Sequence, residues 1–256
     1  MSNEIATYLK YANLQIAAEA FLLPKTSAPG QTVTRDLTVD VLTNGNERSS
    51  RFTETQAQAF IDEGWTVVEH KSNTSTGFSG TLFRNSQTGE VVISFRSTEF
   101  ADDAVRDNQA TNVMEIKAEG WAFGQIADMQ AWVASLYASD KITTSDQLTV
   151  TGYSLGGHLA TAFNLLYPSA VAATYTFNGA GVATVNEGHS LAQVMTEFTH
   201  HRVLGSNAGL FAVGYAVDGA RAVRRCRLTG SEPHRDLWRL HPLRRWSHEQ
   251  VEQVLT

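Results

Sequence analysis

Residues Gly152, Tyr153, Ser154, Leu155 and Gly156 form a Gly-x-Ser-x-Gly. A β-branched and apolar run, Leu148 to Thr151, precedes the motif, and a helix-forming run from His158 to Leu166 follows it. Strand, glycine-flanked serine and helix together make a nucleophile elbow, a turn that presents a serine hydroxyl for attack on an acyl carbon. The turn is so tight that side chains two residues before and two after the serine would collide, which explains Gly152 and Gly156. Ser154 is therefore expected in a strained backbone conformation, proud of the sheet edge and close to the positive end of the following helix. The Leu155 N–H, first in that helix, is a ready donor to an oxyanion.

The elements that must hold this turn are legible as alternating patterns. Ile5, Leu9, Ile16, Ala17 and Phe21 predict an amphipathic helix over 3–22, followed by a connector from Pro24 to Gly30. Leu37 to Leu42 reads as a short strand, and Thr53 to Glu63 as a helix stopped by Gly64. Trp65–His70, Phe78–Arg84 and Glu90–Phe95 read as strands, the last two joined as a hairpin by the turn residues Asn85 to Gly89. Helices are expected at Asp102–Val113, Phe123–Ala138 and Leu155–Tyr167, with strands at Leu148–Thr151 and Ala172–Phe177. A glycine-rich corner, Asn178 to Gly181, comes next. Leu191, Val194, Met195 and Phe198 then predict a helix over Ser190–His200. Strands alternating with helices predict an α/β fold with a mostly parallel central sheet and helices on both faces. No internal repeat or low-complexity stretch interrupts the chain.

A second motif makes a resemblance specific. Phe95-Arg96-Ser97-Thr98, followed by Asp103 and Asp107, resembles the Phe-Arg-Gly-Thr segment and acidic loop of the class 3 (fungal-type) triacylglycerol lipases, which are α/β-hydrolases. Gly152 to Gly157 is similar to their Gly-His-Ser-Leu-Gly-Gly, and Tyr175 to Gly181 to the strand and corner after the nucleophile helix of bacterial lipases of this type. The resemblance covers roughly residues 65–182, with its parts in the family's order. It implies one α/β-hydrolase domain over 1–256, and residues 206–256, which depart from the family's ending, are expected to be its less ordered part. It implies a carboxylic ester hydrolase, a lipase or esterase of lipid metabolism working through an acyl-enzyme, with Thr98 as the second oxyanion donor beside Leu155. It further implies a small acyl ester or acylglycerol as substrate, contact with a lipid interface, and no cofactor or metal. Arg96 maps to the family's arginine and is read as a brace for the loop rather than a reactant. Ser97 stands where the family usually has glycine, and Tyr153 where it often has histidine. Asp102, Asp103 and Asp107 read equally as solvated charges and a helix N-cap.

The acid and the base are the weak link. In α/β-hydrolases the acid follows the serine in the chain and the histidine follows the acid. Leu210–Val217 reads as a strand, which makes Asp218 the best-placed acid. Thr229 to His234 is a loop of suitable composition, and Ser247-His248-Glu249-Gln250 reads as a capping box that opens a terminal helix. His234, His241 and His248 are thus all candidates for the base, with His248 and His234 preferred. His158, one helical turn after Ser154, is a further candidate, although the base normally comes from a late loop. The family's usual acid and base are alternatively missing, and the chain is then a weakly active or inactive hydrolase-fold binding module. The stripe Leu191, Val194, Met195 and Phe198, with Leu210 and Phe211, reads either as a lid or acyl pocket or as ordinary core.

Bulk composition excludes several other classes. At 256 residues the chain suffices for one α/β domain, and its mean hydropathy of -0.21 is that of a globular protein. No apolar run approaches the roughly 18 to 20 residues of a membrane span. The N-terminus lacks the basic start, apolar centre and cleavage site of a secretory leader, so none of that type is expected. The single cysteine, Cys226, rules out an internal disulfide framework. The net charge of -6 gives no reason to expect a nucleic-acid partner. That charge is uneven: residues 201–256 hold nine arginines, no lysine and five acids. Without a recognised motif those arginines remain weak evidence for a polyanion site.

Overall fold

The computed structural model of the chain describes residues 2–20, 22, 32–33, 37–46, 51–97, 116, 120–182, 190–193 and 195. Among them run α1 (Ser2–Glu19), β1 (Thr32–Val33), α2 (Val39–Asn44), α3 (Glu54–Asp62), β2 (Trp65–Lys71), β3 (Gly80–Asn85) and β4 (Val91–Phe95). After these come α4 (Phe123–Ala138), β5 (Leu148–Tyr153), α5 (Leu155–Leu166) and β6 (Val171–Phe177). Expectations for the helix at Asp102–Val113, the strand at Leu210–Val217 and the terminal helix fall outside the described residues, as do Val194, Phe198 and Cys226.

The six strands form one sheet in the order β1-β2-β3-β4-β5-β6. It is a mixed sheet, which corrects the expectation of a mostly parallel one. β1 to β4 pair antiparallel throughout, and only β4-β5 and β5-β6 are parallel. Connection length decides this from β2 to β4. Between β3 and β4 lies a tight turn in which the Asn85 side chain accepts from the Gln87 and Thr88 N–H groups and Gly89 takes φ 75. A turn that short can only reverse the chain, whereas a parallel neighbour needs a crossover long enough to carry a helix. α5 sits in such a crossover, between β5 and β6.

Both faces are covered, as expected. On one face α4 and α5 bury Phe123, Ile126, Trp132, Leu159 and Phe163 against Leu82, Ile93, Phe95 and Val150. On the other, α1, α2 and α3 bury Tyr11, Leu14, Leu42 and Phe60 against Val67, Phe83 and Val92. Adjacent residues Leu82 and Phe83, or Val92 and Ile93, fall into opposite cores because successive strand side chains point to opposite faces. Each such large side chain contributes about 1.5–3 kcal/mol by leaving water.

Two local expectations fail for identifiable reasons. Leu37 to Leu42 is not a strand. The Thr38 side chain accepts from the Val41 N–H and caps α2, and Gly45 closes that helix at φ 54. A good cap outweighs the strand preference of a short β-branched run. In α1, Ile5 and Leu9 are exposed and the buried stripe is Tyr11, Leu14, Ala17 and Ala18. By contrast α3 follows its sequence signals: Thr53 and Gln56 form a reciprocal capping box, and Gly64 follows at φ 84.

Candidate active site

At the C-terminal end of β5, Ser154 has φ 51 and ψ -117. A non-glycine residue there is held against its own preference, a cost of order 1–3 kcal/mol that the surroundings must offset. They do so with backbone bonds. The Ser154 N–H donates to the Phe177 carbonyl (3.0 Å), and the Ser154 carbonyl accepts from the N–H groups of Gly157, His158 and Ala180 at 3.0, 3.2 and 2.8 Å. The serine is thus pinned between β6, the first turn of α5 and the Asn178–Gly181 corner.

The glycines are there for space. A Cβ on Gly152 would lie 2.1 Å from the Gly156 carbonyl oxygen, and one on Gly156 would lie 2.2 Å from that of Phe95. Both distances are impossible, and both partners are backbone. Gly157 meets the corner in the same way, since its Cβ would lie 2.7 Å from the Gly179 Cα. Three glycines thereby let α5 press against β4, β5 and the corner at once.

This packing sets the geometry of the site. β4 runs parallel to β5 with Phe95 opposite Gly152, so the chain leaving β4 passes directly beside the elbow. Arg96 and Ser97 follow there, and neither is among the described residues with positive φ. A serine at 97 therefore meets no demand for a positive φ. Among the described residues no group accepts the Leu155 N–H, as expected for the first position of a helix. Nor does any described residue bond the Ser154 hydroxyl. Tyr153 is 43% exposed beside it.

His158 is fully buried and committed at both ring nitrogens. Its Nε2 accepts from the Ala122 N–H (3.1 Å), so its Nδ1 carries the proton and donates to the Gly181 carbonyl at 2.9 Å. Burial lowers its pKa to about 4, against which the bonds at the corner pull upward. A ring tied in this way is a rivet between α4, α5 and the corner rather than a base for Ser154. His70, the other described histidine, is buried as well. Its Nδ1 pairs with the Thr81 hydroxyl (2.8 Å), and burial, then the charge of Arg96, lower its pKa to about 3.

Thr98, Asp218, His234, His241 and His248, like Asp102, Asp103 and Asp107, lie outside the described residues. Of the predicted site, Ser154, Leu155, Arg96 and Ser97 are brought together. Leu191 and Met195 are buried in the α4–α5 core, while Ser190 and Gln193 form a capping box before them. Sequence reasoning missed the groups behind the end of β4. Ser97 N–H donates to the Glu19 carboxylate of α1 (2.8 Å), and the Arg96 guanidinium donates to the Asn73 side chain. Tyr11, Gln15 and Glu19 recur every four residues on one stripe of α1, but only their burial, which the structure shows, sets them apart from a solvated polar face. Among the described residues there is no cluster that could hold a metal and no helix long and apolar enough to cross a membrane.

No protein-family model and no curated protein matches the chain. Several solved structures resemble it, two of them of fungal lipase type. One is the lipase from Rhizopus microsporus var. chinensis, with a TM-score of 0.39 and 15% identity over 69% of this chain and 57% of that one. The other is an MDLA mutant from Penicillium cyclopium, with a TM-score of 0.40 and 16% identity over 68% and 62%. The chain spans less than two thirds of either.

Proposed function

We propose that the chain is a serine ester hydrolase of the α/β-hydrolase type, acting on small acyl esters or acylglycerols. One observation carries this reading: a serine at φ 51, at the mouth between two parallel strands, flanked by glycines whose replacement would drive a Cβ into backbone. A fold tolerates such strain where the displaced side chain has work to do.

In the proposed reaction the Ser154 oxygen attacks the ester carbonyl carbon while a late histidine takes its proton. The carbonyl oxygen becomes an oxyanion that receives hydrogen bonds from the Leu155 and Thr98 N–H groups. Collapse breaks the bond to the alkoxy oxygen, which takes the proton from the histidinium and leaves as the alcohol, and an acyl-serine remains. Water, deprotonated by the same histidine, then releases the acid. Asp218 is proposed as the group that orients the base, and His248 or His234 as the base, with His241 as the third candidate.

The test is a fluorophosphonate probe followed by p-nitrophenyl esters of graded acyl length. Labelling and turnover are expected in the wild type and absent in Ser154→Ala. Alanine at the true base should lower kcat by about four orders of magnitude or more, and at the other two late histidines by little. A folded wild type that neither labels nor turns over any ester defeats the proposal and leaves a hydrolase-fold binding module.

A further inference from the structure

A fold keeps a carboxylate buried only where partners replace the hydration lost to its charge. Glu19, the last residue of α1, is 5% exposed and has such partners. Its Oε1 accepts from the Ser97 N–H at 2.8 Å, across 78 positions of sequence, and from the Gln15 side chain at 2.5 Å. Burial pushes its pKa up, while the charge of the Arg96 guanidinium, then the bonds from Ser97 and Gln15, push it back down. Arg96 is itself buried, with its backbone N–H on the Ser79 carbonyl (3.2 Å) and its guanidinium on Asn73. His70, neutral, closes the group from β2.

The placement of this group is what distinguishes it from a generic brace between α1 and the sheet. Its acceptor is spent on one particular amide, that of the last described residue leaving β4, at the point where the chain passes over Gly156. In a hydrolase that backbone leads directly into the second oxyanion donor. Donor placement there matters steeply, since a misplacement of about 1 Å can lower a rate by about 100-fold. Resting on the hydrolase reading, we propose that Glu19 is a positioning residue for the oxyanion site: by holding the Ser97 amide it fixes the backbone leaving β4 against the elbow. It touches no substrate and acts through Ser97.

Kinetics per active site separate positioning from mere support of the fold. Wild type, Glu19→Gln, Glu19→Leu and Glu19→Asp are titrated with a fluorophosphonate, and kcat and KM for p-nitrophenyl butyrate are expressed per titrated serine. Glu19→Leu, which has no acceptor, should lose about 30- to 100-fold in kcat with KM within about threefold, the signature of a transition-state contact gone astray. Glu19→Gln keeps an acceptor oxygen for Ser97 and should stay within about fivefold of wild type. If Glu19→Leu does not fold, Glu19→Asp replaces it, because a chain one methylene shorter withdraws the oxygen and should also lower kcat by at least about tenfold. A wild-type kcat per site in a folded Leu variant, or in Asp where Leu fails, overturns the proposal and leaves the hydrolase reading standing. An inactive, unlabelled wild type overturns both.

Discussion

The ends of β4 and β5 lie side by side and are fixed by opposite means. At the end of β5 the backbone is positioned by absence: three glycines remove every Cβ, and α5, β4 and the corner close to contact. At the end of β4 it is positioned by presence: Glu19, Arg96, Asn73 and His70 place a polar knot behind Arg96 and Ser97. The first arrangement depends on steric exclusion, which is short-ranged and indifferent to pH. The second depends on buried charge, which responds to both pH and partner loss. The mouth beside the elbow therefore has a rigid lip and a titratable one.

The largest expected effect breaks the rigid lip. Gly152→Ala should destabilise the protein by about 4 kcal/mol or more, since a Cβ 2.1 Å from a carbonyl oxygen forces backbone to move rather than a side chain to turn. Gly181→Ala, where a Cβ meets nothing within 4 Å and φ is not positive, should change stability by no more than about 0.5 kcal/mol. Urea unfolding midpoints for the two variants check the contrast. Equal effects would show that glycine at 152 serves flexibility rather than space.

The same contrast explains what could be read in advance. The elbow was legible because its determinants lie within six consecutive residues and each does one steric job. The β3-β4 hairpin and α3 were legible for the same reason, through the turn residues ending in Gly89 and through Gly64 as the helix stop. The knot behind β4 was not, because Glu19 and Ser97 are 78 positions apart and nothing in either neighbourhood names the other. The apolar stripe of α1 was misjudged for a related reason. Ile5 and Leu9 look like core by type, yet the stripe the sheet covers carries Gln15 and Glu19, polar residues whose burial only their distant partners can stabilise. The parallel sheet was over-predicted because the strand–helix alternation in the middle of the chain was extended to the whole sheet, although the β2-β3 and β3-β4 connections are short reversals and the turn residues of the second already predict a hairpin.

The titratable lip should yield next. Arg96→Met is expected to destabilise by about 3 kcal/mol at pH 7.5, because it leaves the Glu19 carboxylate buried without its compensating cation. The loss should shrink at pH 5. Burial already raises the pKa of Glu19, and without Arg96 the group takes up a proton at still higher pH, which relieves the unpaired charge as pH falls. Urea midpoints at the two pH values measure this. A loss independent of pH would mean that Arg96 acts by packing alone.

His158, the rivet between α4, α5 and the corner, sharpens the comparison in the other direction. Its folded pKa of about 4 is below the ordinary 6.5, so the unfolded chain binds the extra proton in that window. Stability contributed by the neutral ring is whole above about pH 6.5 and drains by about 1.4 kcal/mol per pH unit until about pH 4. His70 adds a like slope that continues to about pH 3, while Glu19, raised rather than lowered, offsets part of both as pH falls. His158→Gln leaves one of two buried backbone partners, Ala122 N–H or Gly181 carbonyl, unpaired, a loss of about 2 kcal/mol at pH 7.5. The variant has no such slope of its own, so its stability curve should meet that of the wild type near pH 5, as about 1.5 pH units of the lost slope amount to about 2 kcal/mol. Parallel curves would show that the ring is not the proton-accepting group.

The smallest effect concerns Ser97, whose amide the polar knot at the end of β4 holds. Glycine at this position would be demanded by a positive φ, and Ser97 does not have one. Ser97→Gly retains the N–H that Glu19 holds, gives up the hydroxyl that also interacts with that carboxylate, and frees the unfolded chain. These changes should lower stability by about 0.5–1 kcal/mol, and with the amide still in place kcat should stay within about threefold. Urea unfolding and ester turnover read the two quantities separately. A Ser97→Gly variant that turned over ester tenfold faster would mean that the serine side chain, rather than the amide beneath it, constrains the site, and the titratable lip would then be a restraint on the proposed activity rather than a support for it.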